Sequence, residues 1–158
     1  MKLYSHDFND GDRMPERHVF NGMGYQGDNL SPHLAWDEVP ADTKSFVVTC
    51  FDPDAPTGSG WWHWGVANLP ADTRALPQGA GSGSAGLPDG CVQTRTDFGR
   101  SGYGGAAPPK DESHRYIFTV YALDIDCLDV DAQSSGALLG FNVHFHKLDS
   151  ATITVNYN

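Results

Sequence analysis

The segment Ser45-Phe-Val-Val-Thr-Cys-Phe51 runs directly into Asp52-Pro-Asp-Ala-Pro56, and together they indicate the architecture of the chain. The first seven residues form an almost continuous apolar run, rich in β-branched and aromatic side chains. Such a run predicts a central strand that is covered on both faces. The two carboxylates that follow stand where burying a charge is costly unless it is paired. We therefore predict a buried strand that ends in a polar corner.

Three other segments have the same composition and are also bounded by turn-forming residues: 63–69, 115–123 and 151–157. Residues 37–43 and 69–73 contain Pro beside Asp and Thr, as turns do. The chain has 18 Gly and 10 Pro, and convincing amphipathic helices are scarce. These observations predict a mainly β fold, a two-sheet antiparallel β-sandwich-like domain with a few short helices.

Length and charge limit the classes of protein to which the chain can belong. Its 158 residues predict a single domain, 1–158, that buries one core. The formal net charge of −10 repels nucleic acid phosphates and anionic membrane surfaces, so neither is an expected partner. No apolar stretch is long enough to span a bilayer, and residues 1–6 lack the apolar region of a signal peptide. We expect a cytoplasmic protein with no integral membrane association.

Residues 134–147 fit two different structures. The alternation in Phe141-Asn-Val-His-Phe-His146 is typical of a strand, whereas Leu138, Phe141, Phe145 and Leu148 recur at helical spacing after two possible N-caps, Ser134 and Ser135. We predict a short helix before the last strand. In a helix His144 and His146 lie on nearly opposite sides, so this His-x-His pair is not expected to bind a metal.

The cysteines also argue against a metal site. Cys50, Cys91 and Cys127 are widely separated and form no Cys-x-x-Cys pair. That spacing suits neither a disulfide framework nor structural zinc. We predict no metal and no cofactor.

Residues 76–110 are dominated by Gly, Ser, Pro and Asp. A connection of this length inside a compact domain is either functional or disordered. Phe98 and Tyr103, set among the glycines, favour a loop that folds back onto the body of the domain.

The polar corner and the Trp61-Trp-His-Trp64 segment carry the first candidate chemistry. Asp52 and Asp54 are two residues apart, so an extended backbone points them the same way. Strand alternation places His63 on the face opposite Trp62 and Trp64. A carboxylate close to His63 would favour its charged form and make it an anion donor. Two plainer interpretations stay open: the aspartates only bind turn amides, and His63 is buried against a carbonyl.

A second candidate set is Pro108-Pro109 followed by His114-Arg-Tyr116. His114 and Tyr116 are two residues apart in a predicted strand, so they share a face and offer two donors side by side. Arg115 points the other way. We therefore predict that Arg115 is a structural ion-pair partner and not a ligand contact.

The order and spacing of these fragments resemble the phosphatidylethanolamine-binding protein family, specifically its bacterial Raf-kinase-inhibitor-like branch. The resemblance extends to Asn29-Leu-Ser-Pro-His-Leu-Ala-Trp36, to Thr96-Asp-Phe-Gly99 and to Gly102-Tyr103. It implies a β-sandwich-like domain whose small surface cavity takes phosphate-like anions and phosphoryl head groups. By motif position the implied ligand-binding residues are Asp52, His63, Pro109, His114 and Tyr116, and those that shape the pocket are Asp54, Pro56, Trp62 and Pro108.

The chain departs from the family pattern at the rim of this cavity. Ala106-Ala107 stands where many relatives have a proline or a further glycine, and Asp111-Glu112 replaces the usual glycine-rich approach to the histidine. Two acidic residues near the mouth would disfavour a highly charged anion. The chain is also predicted to end with a strand, whereas the family's eukaryotic members have a C-terminal helix near the pocket.

Three functions are compatible with these residues. The first is a non-enzymatic module, with no catalytic residue, that binds a small anion or phosphoryl-bearing ligand and modulates a protein partner, such as a kinase or protease. The second is a hydrolase of small esters or phosphoesters in which Asp52 orients His63 as a general base beside Tyr116. No Gly-x-Ser-x-Gly nucleophile motif supports the second. The third is a homodimer or other complex formed through the tryptophan cluster.

Overall fold

The structure, a computed structural model, describes residues 1–83 and 86–158. The elements are strands β1 (Lys2–Tyr4), β2 (Leu34–Asp37), β3 (Ser45–Asp52), β4 (Trp61–Pro70), β5 (Ala75–Leu76), β6 (Val92–Gln93), β7 (His114–Leu123) and β8 (Lys147–Tyr157), helix α1 (Gly136–His146), and single 3₁₀ turns at Glu16–His18 and Ala80–Ser82. No helix in the two described ranges has the length and hydropathy that a membrane-spanning segment needs.

The strands form two sheets, and every strand pair is antiparallel. The small sheet has the order β1-β2-β5, and the large sheet has the order β6-β4-β3-β7-β8. The apolar strand β3 is the central strand of the large sheet, because it has the fewest polar side chains to expose. The predicted two-sheet β-sandwich is confirmed, and the four predicted strand segments are β3, β4, β7 and β8.

The large sheet is covered on both faces. The main core lies between the two sheets and joins residues such as Trp36 of β2 to Phe46 of β3 and Phe118 of β7. A second, smaller core lies on the opposite face, where Val47 of β3 meets Leu139 of α1. The domain therefore has three layers, in the order small sheet, large sheet and helix.

The predicted helix in residues 134–147 is confirmed as α1. Its N-cap is Ser135, whose hydroxyl accepts a hydrogen bond of 3.0 Å from the Leu138 amide. The face that packs on the sheet carries Gly136, Leu139 and Val143. Of the four apolar residues whose spacing indicated the helix, Leu138, Phe141 and Phe145 lie beside that face and are 46% to 63% exposed. The fourth, Leu148, is 41% exposed and belongs to β8. Gly136 lets the helix approach the sheet closely, because it lies directly on the Trp62 ring.

The long connection folds back onto the domain, as its aromatic residues predicted. Phe98 stacks on Phe20 with ring centroids 4.5 Å apart. Tyr103 is buried, and its hydroxyl donates a hydrogen bond of 2.7 Å to the His18 carbonyl. This holds for the described part of the predicted 76–110 loop, since residues 84 and 85 lie outside the described residues.

Candidate functional site

A cavity of about 620 Å³ opens where β3 ends and where β4 and β7 begin. These three strands are antiparallel neighbours, so their ends meet at one edge of the large sheet. Six of the nine residues implied by the family resemblance line the cavity: Asp52, Pro56, His63, Pro108, Pro109 and His114. Asp54, Trp62 and Tyr116 do not belong to the lining.

His114, the first residue of β7, is held between two carboxylates. Its Nδ1 lies 2.7 Å from Oδ2 of Asp52, and its Nε2 lies 2.7 Å from Oε1 of Glu112. Ionised carboxylates only accept hydrogen bonds, so both ring nitrogens donate and the ring is an imidazolium. Burial acts to lower the pKa of His114, but the hydrogen bonds to Glu112 and Asp52 outweigh it and raise that pKa above the usual 6.5.

Asp52 and Asp54 have separate partners, and this makes the corner stiff. The second oxygen of Asp52 accepts a hydrogen bond of 2.7 Å from the Asp54 amide. Asp54 accepts bonds of 2.9 Å and 3.0 Å from the Arg115 guanidinium and one of 2.9 Å from the Arg115 amide. The hydrogen bond from Arg115 holds the pKa of Asp54 down, at about 2. The predicted structural role of Arg115 is confirmed, and Asp54 joins the corner to β7.

His63 is neutral, and the prediction that a nearby carboxylate would charge it is wrong. Its Nδ1 donates a hydrogen bond of 2.7 Å to the Gly104 carbonyl, while the carboxylate of Asp52 bonds to His114 instead. Burial lowers the pKa of His63 to about 4, although the Gly104 carbonyl and the charge of Asp52 act in the opposite direction. With Nδ1 protonated, Nε2 of the neutral ring is a hydrogen-bond acceptor.

A β-bulge in β4 determines which aromatic side chains reach the cavity. Cys50 pairs with Trp64 and Phe51 pairs with Trp62, so His63 is an extra residue between two paired ones. Trp62 therefore faces α1 and packs against Phe51, with ring centroids 4.3 Å apart and an interplanar angle of 40°. Trp64 faces the main core instead. The predicted slab of Trp62 and Trp64 on one face is wrong, because strict alternation ignores the bulge. The pocket-shaping role that the family resemblance implies for Trp62 has no support from its position, since its ring faces α1 and not the cavity.

The aromatic wall of the cavity is formed by Tyr25, Trp61 and Phe98. The rings of Trp61 and Phe98 meet edge to face with centroids 5.3 Å apart, and Phe98 meets His63 in the same way at 5.4 Å. Tyr25 donates a hydrogen bond of 2.5 Å to the Pro108 carbonyl. Sequence analysis missed Tyr25, whose only signal is an aromatic residue in a glycine-rich, strandless segment.

Two polar atoms beside the cavity have no hydrogen-bond partner within the described residues: Nε1 of Trp61 and the hydroxyl of Tyr116. Tyr116 is 1% exposed and lies behind His63, with ring centroids 5.1 Å apart. Burial and the charge of Asp52 raise the pKa of Tyr116, so its phenol keeps its proton. An orphaned buried donor is costly. The Trp61 side chain belongs to the cavity lining, whereas the Tyr116 phenol is buried next to it, against His63.

Two charged side chains at the rim make contacts that sequence analysis did not predict. Lys110 lines the mouth of the cavity, and Glu112 reaches the buried ring of His114. The sequence showed Glu112 only as an acidic departure from the family pattern. The contact itself depends on the turn between Pro109 and Glu112, closed by a backbone hydrogen bond of 3.1 Å, which no local pattern indicates.

Comparisons with known proteins agree with this architecture. A model of the phosphatidylethanolamine-binding protein family matches residues 4–158. UPF0098 protein YbhB of Escherichia coli is 73% identical over 158 residues, with 100% of both chains covered. The crystal structure of E. coli YbcL, described as a new member of the mammalian PEBP family, superposes with a TM-score of 0.95 at 49% identity, covering 99% of this chain and 97% of that one. The crystal structure of CT736 from Chlamydia trachomatis gives a TM-score of 0.84 at 30% identity, covering 99% and 96%.

Proposed function

Because the chain belongs to the phosphatidylethanolamine-binding protein family, we propose that it is a non-enzymatic binding protein whose cavity takes a small phosphate-like anion or a phosphoryl head group. The observation that carries this proposal is that a charged donor, His114, and an unpartnered donor, Trp61, line the same cavity, with a second unpartnered donor, Tyr116, buried next to it. The imidazolium of His114 lies there, and the Trp61 indole and Tyr116 phenol have no partner within the described residues. Hydrogen bonds from such groups to an anion are stronger than bonds between neutral groups.

The shape of the cavity supports a small ligand. A volume of about 620 Å³ falls within the range of ordinary small-molecule sites, roughly 300–1,000 Å³. The aromatic wall leaves room for a short apolar part of the ligand beside its anionic group. Because the whole chain carries a net charge of −10, the binding of an anion depends on these local donors.

The hydrolase alternative is less well supported, because its catalytic pair is not assembled. Asp52 bonds to His114 and to the Asp54 amide, while His63 bonds to a backbone carbonyl. Asp52 therefore does not orient His63 as a general base. We favour recognition over catalysis for this reason.

We propose further that the bound ligand controls how the protein meets a protein partner, such as a kinase, a protease or a second copy of the chain. The rim residues support this role, since Lys110 lines the cavity and is exposed, and the 44% exposed Glu112 contacts His114 of the lining. A ligand that moves them changes the surface that a partner meets. The test is a kinase or protease inhibition assay, run with and without inorganic phosphate or phosphoethanolamine.

The direct test of ligand binding is a titration of inorganic phosphate and of phosphoethanolamine, followed by NMR of the histidine rings. We expect the His63 and His114 signals to shift and saturate. Tyr116→Phe removes one donor and should weaken binding by about threefold to tenfold. Tyr121→Phe, on the same strand but packed against the second core instead of His63, is the matched control and should bind like wild type. Unchanged ring signals at millimolar ligand would refute the proposal.

A second assay separates binding from catalysis. Phosphate esters and acyl esters are incubated with wild type and with Asp52→Asn. We expect no turnover by either protein. An activity that is present in wild type and lost in Asp52→Asn would overturn the non-enzymatic proposal.

A further inference from the structure

The ring nitrogen Nε2 of His114 is already hydrogen-bonded to a carboxylate. The ring is 3% exposed, and Asp52 takes its Nδ1, so Nε2–H is the one ring donor that a ligand can reach. Glu112 accepts from that donor at 2.7 Å. A ligand anion that binds His114 must therefore replace Glu112.

The two carboxylates on His114 differ in how firmly they are held. Asp52 is 3% exposed, ends a central strand and also accepts a hydrogen bond from the Asp54 amide. Glu112 is 44% exposed and lies on the turn before β7, and within the described residues its carboxylate is hydrogen-bonded to His114. Glu112 can move into water by side-chain rotation alone. The cost of this movement is small, because water solvates a free carboxylate well. Asp52 is thus the fixed partner of His114 and Glu112 the exchangeable one.

We propose that Glu112 is a tethered competitor for the anion site: it occupies the ligand's place on His114 and must be displaced when a phosphate-like anion binds. This inference rests on the proposed function, since it concerns the same cavity. A tethered group competes at an effective concentration on the order of millimolar or above, without having to diffuse to the site. Weak monoanions are thereby excluded, and anions that make several strong contacts in the cavity are selected.

The local charges favour the exchange for a multiply charged oxyanion. With Glu112 in place, one imidazolium lies between two carboxylates. When Glu112 leaves, the anion gains the charged His114 donor, and the unpartnered donors of Trp61 and Tyr116 lie beside the same cavity. A single carboxylate on a short tether cannot engage all three. Ligands with several acceptor oxygens therefore displace Glu112 more easily than ligands with a single one.

The test compares the dissociation constants of inorganic phosphate and sulfate for wild type, Glu112→Gln and Asp111→Asn. Glu112→Gln keeps the size of the side chain and removes its charge, whereas Asp111→Asn makes the same charge change one residue away. All three proteins are measured at the same pH, and sulfate stays a dianion throughout. We expect Glu112→Gln to bind both anions about tenfold more tightly, because the competing group is weaker. Asp111→Asn should change affinity less than twofold.

The outcomes separate this inference from the proposed function. If wild type binds phosphate and Glu112→Gln binds no more tightly than Asp111→Asn, the tethered competitor is refuted while the binding function stands. If neither wild type nor Glu112→Gln binds phosphate or sulfate, both proposals fail. As a second readout, the side-chain carboxyl ¹³C signal of Glu112 should move to its solvent-exposed position when wild type is saturated with phosphate. A signal that stays in place at saturation would also refute displacement.

Discussion

His63 and His114 are both buried at the same cavity, but they have opposite protonation states. The reason is the kind of partner that each ring meets. His63 meets a neutral carbonyl, which does not compensate for burial of a charge, whereas His114 meets two carboxylates, which do. One ring nitrogen in the site is therefore an acceptor, and the facing imidazolium supplies a charged donor.

We predict that the two rings titrate in different pH ranges. His63 should stay neutral until the pH approaches about 4, because burial lowers its pKa. His114 should stay charged above its usual value of 6.5, because its carboxylate partners raise its pKa. NMR of the ring carbons from pH 3.5 to 9 measures both. Titration of both rings near 6.5 would contradict the assignment.

The same two rings give the folding stability opposite pH slopes. The folded pKa of His63 lies below its unfolded value, so neutral His63 contributes its full share of the folding stability above pH 6.5. That share is lost as the pH falls toward about 4, which lowers the free energy of unfolding by about 3 kcal/mol. The folded pKa of His114 is raised, so its contribution is present below pH 6.5 and is lost as the pH rises through that folded value. Urea unfolding of wild type and His63→Gln isolates the acid limb, which should be flatter in the variant. Equal acid slopes would contradict the prediction.

Residue-level chemistry was only partly predictable from the sequence. The ion-pair role of Arg115 followed from alternation, because Arg115 had to point away from His114 and the cavity, but its partner, Asp54, was not predicted. The choice of His114 as the partner of Asp52 did not follow, since it depends on β7 lying beside β3 in the sheet. Pairing between strands distant in sequence leaves no mark on either local pattern.

At the scale of single elements, α1 shows that helical spacing does not reveal which face is buried. Two apolar faces lie side by side on this helix, and the sheet takes the narrower one, which carries Gly136, Leu139 and Val143. The bulge in β4 is the corresponding case for a strand. In both elements the local pattern predicted the type of structure correctly but not the orientation of every side chain.

Adjacent leucines of α1 should differ in their contribution to stability. Leu139→Ala opens a cavity in the second core and should lower the free energy of unfolding by about 2–5 kcal/mol. Leu138→Ala changes a half-exposed side chain and should change it by about 0.5 kcal/mol or less. Urea denaturation of the two variants measures the difference. Similar losses in both would mean that the exposed stripe is covered.

Two glycines of α1 should respond in opposite directions to alanine. A Cβ at Gly140 meets nothing within 4 Å, so Gly140→Ala should stabilise the protein by up to about 1 kcal/mol through helix propensity. A Cβ at Gly136 would lie 2.3 Å from the Trp62 ring, so Gly136→Ala should be destabilising. Thermal unfolding monitored by circular dichroism tests the pair. A stabilising Gly136→Ala would show that the helix can shift on the sheet without cost.

At the scale of the whole molecule, the charge of −10 acts against any anionic ligand. Raising the ionic strength from about 10 mM to about 150 mM shortens the screening length from about 30 Å to about 8 Å. We therefore expect phosphate to bind more tightly as salt is added. Phosphoethanolamine, which also carries a positive charge, is the control and should gain less, while chloride competes with both. Equal salt dependence of the two ligands would contradict this expectation.

The architecture was the most predictable property of the chain. Apolar, β-branched runs such as residues 45–51 and 115–123 must be covered on both faces, which requires two sheets or a sheet and a helix. The cavity was predictable as a location, because the polar corner and the His114 segment begin or end at strand termini. Its aromatic wall was not, since Tyr25 reaches it from a segment without regular structure.

Because β4 has an extra residue at the cavity, a deletion of one residue from this strand would alter the cavity. His63 lies at the cavity because the strand has one more residue at this point than its neighbour β3. Loss of the single codon for His63 would leave Trp62 and Trp64 to pair as consecutive residues, with ordinary alternation and an intact reading frame. The sheet could still form, but one ring of the cavity would be gone. In a diverging gene, one-codon insertions and deletions here would change the ligand as effectively as substitutions in the lining.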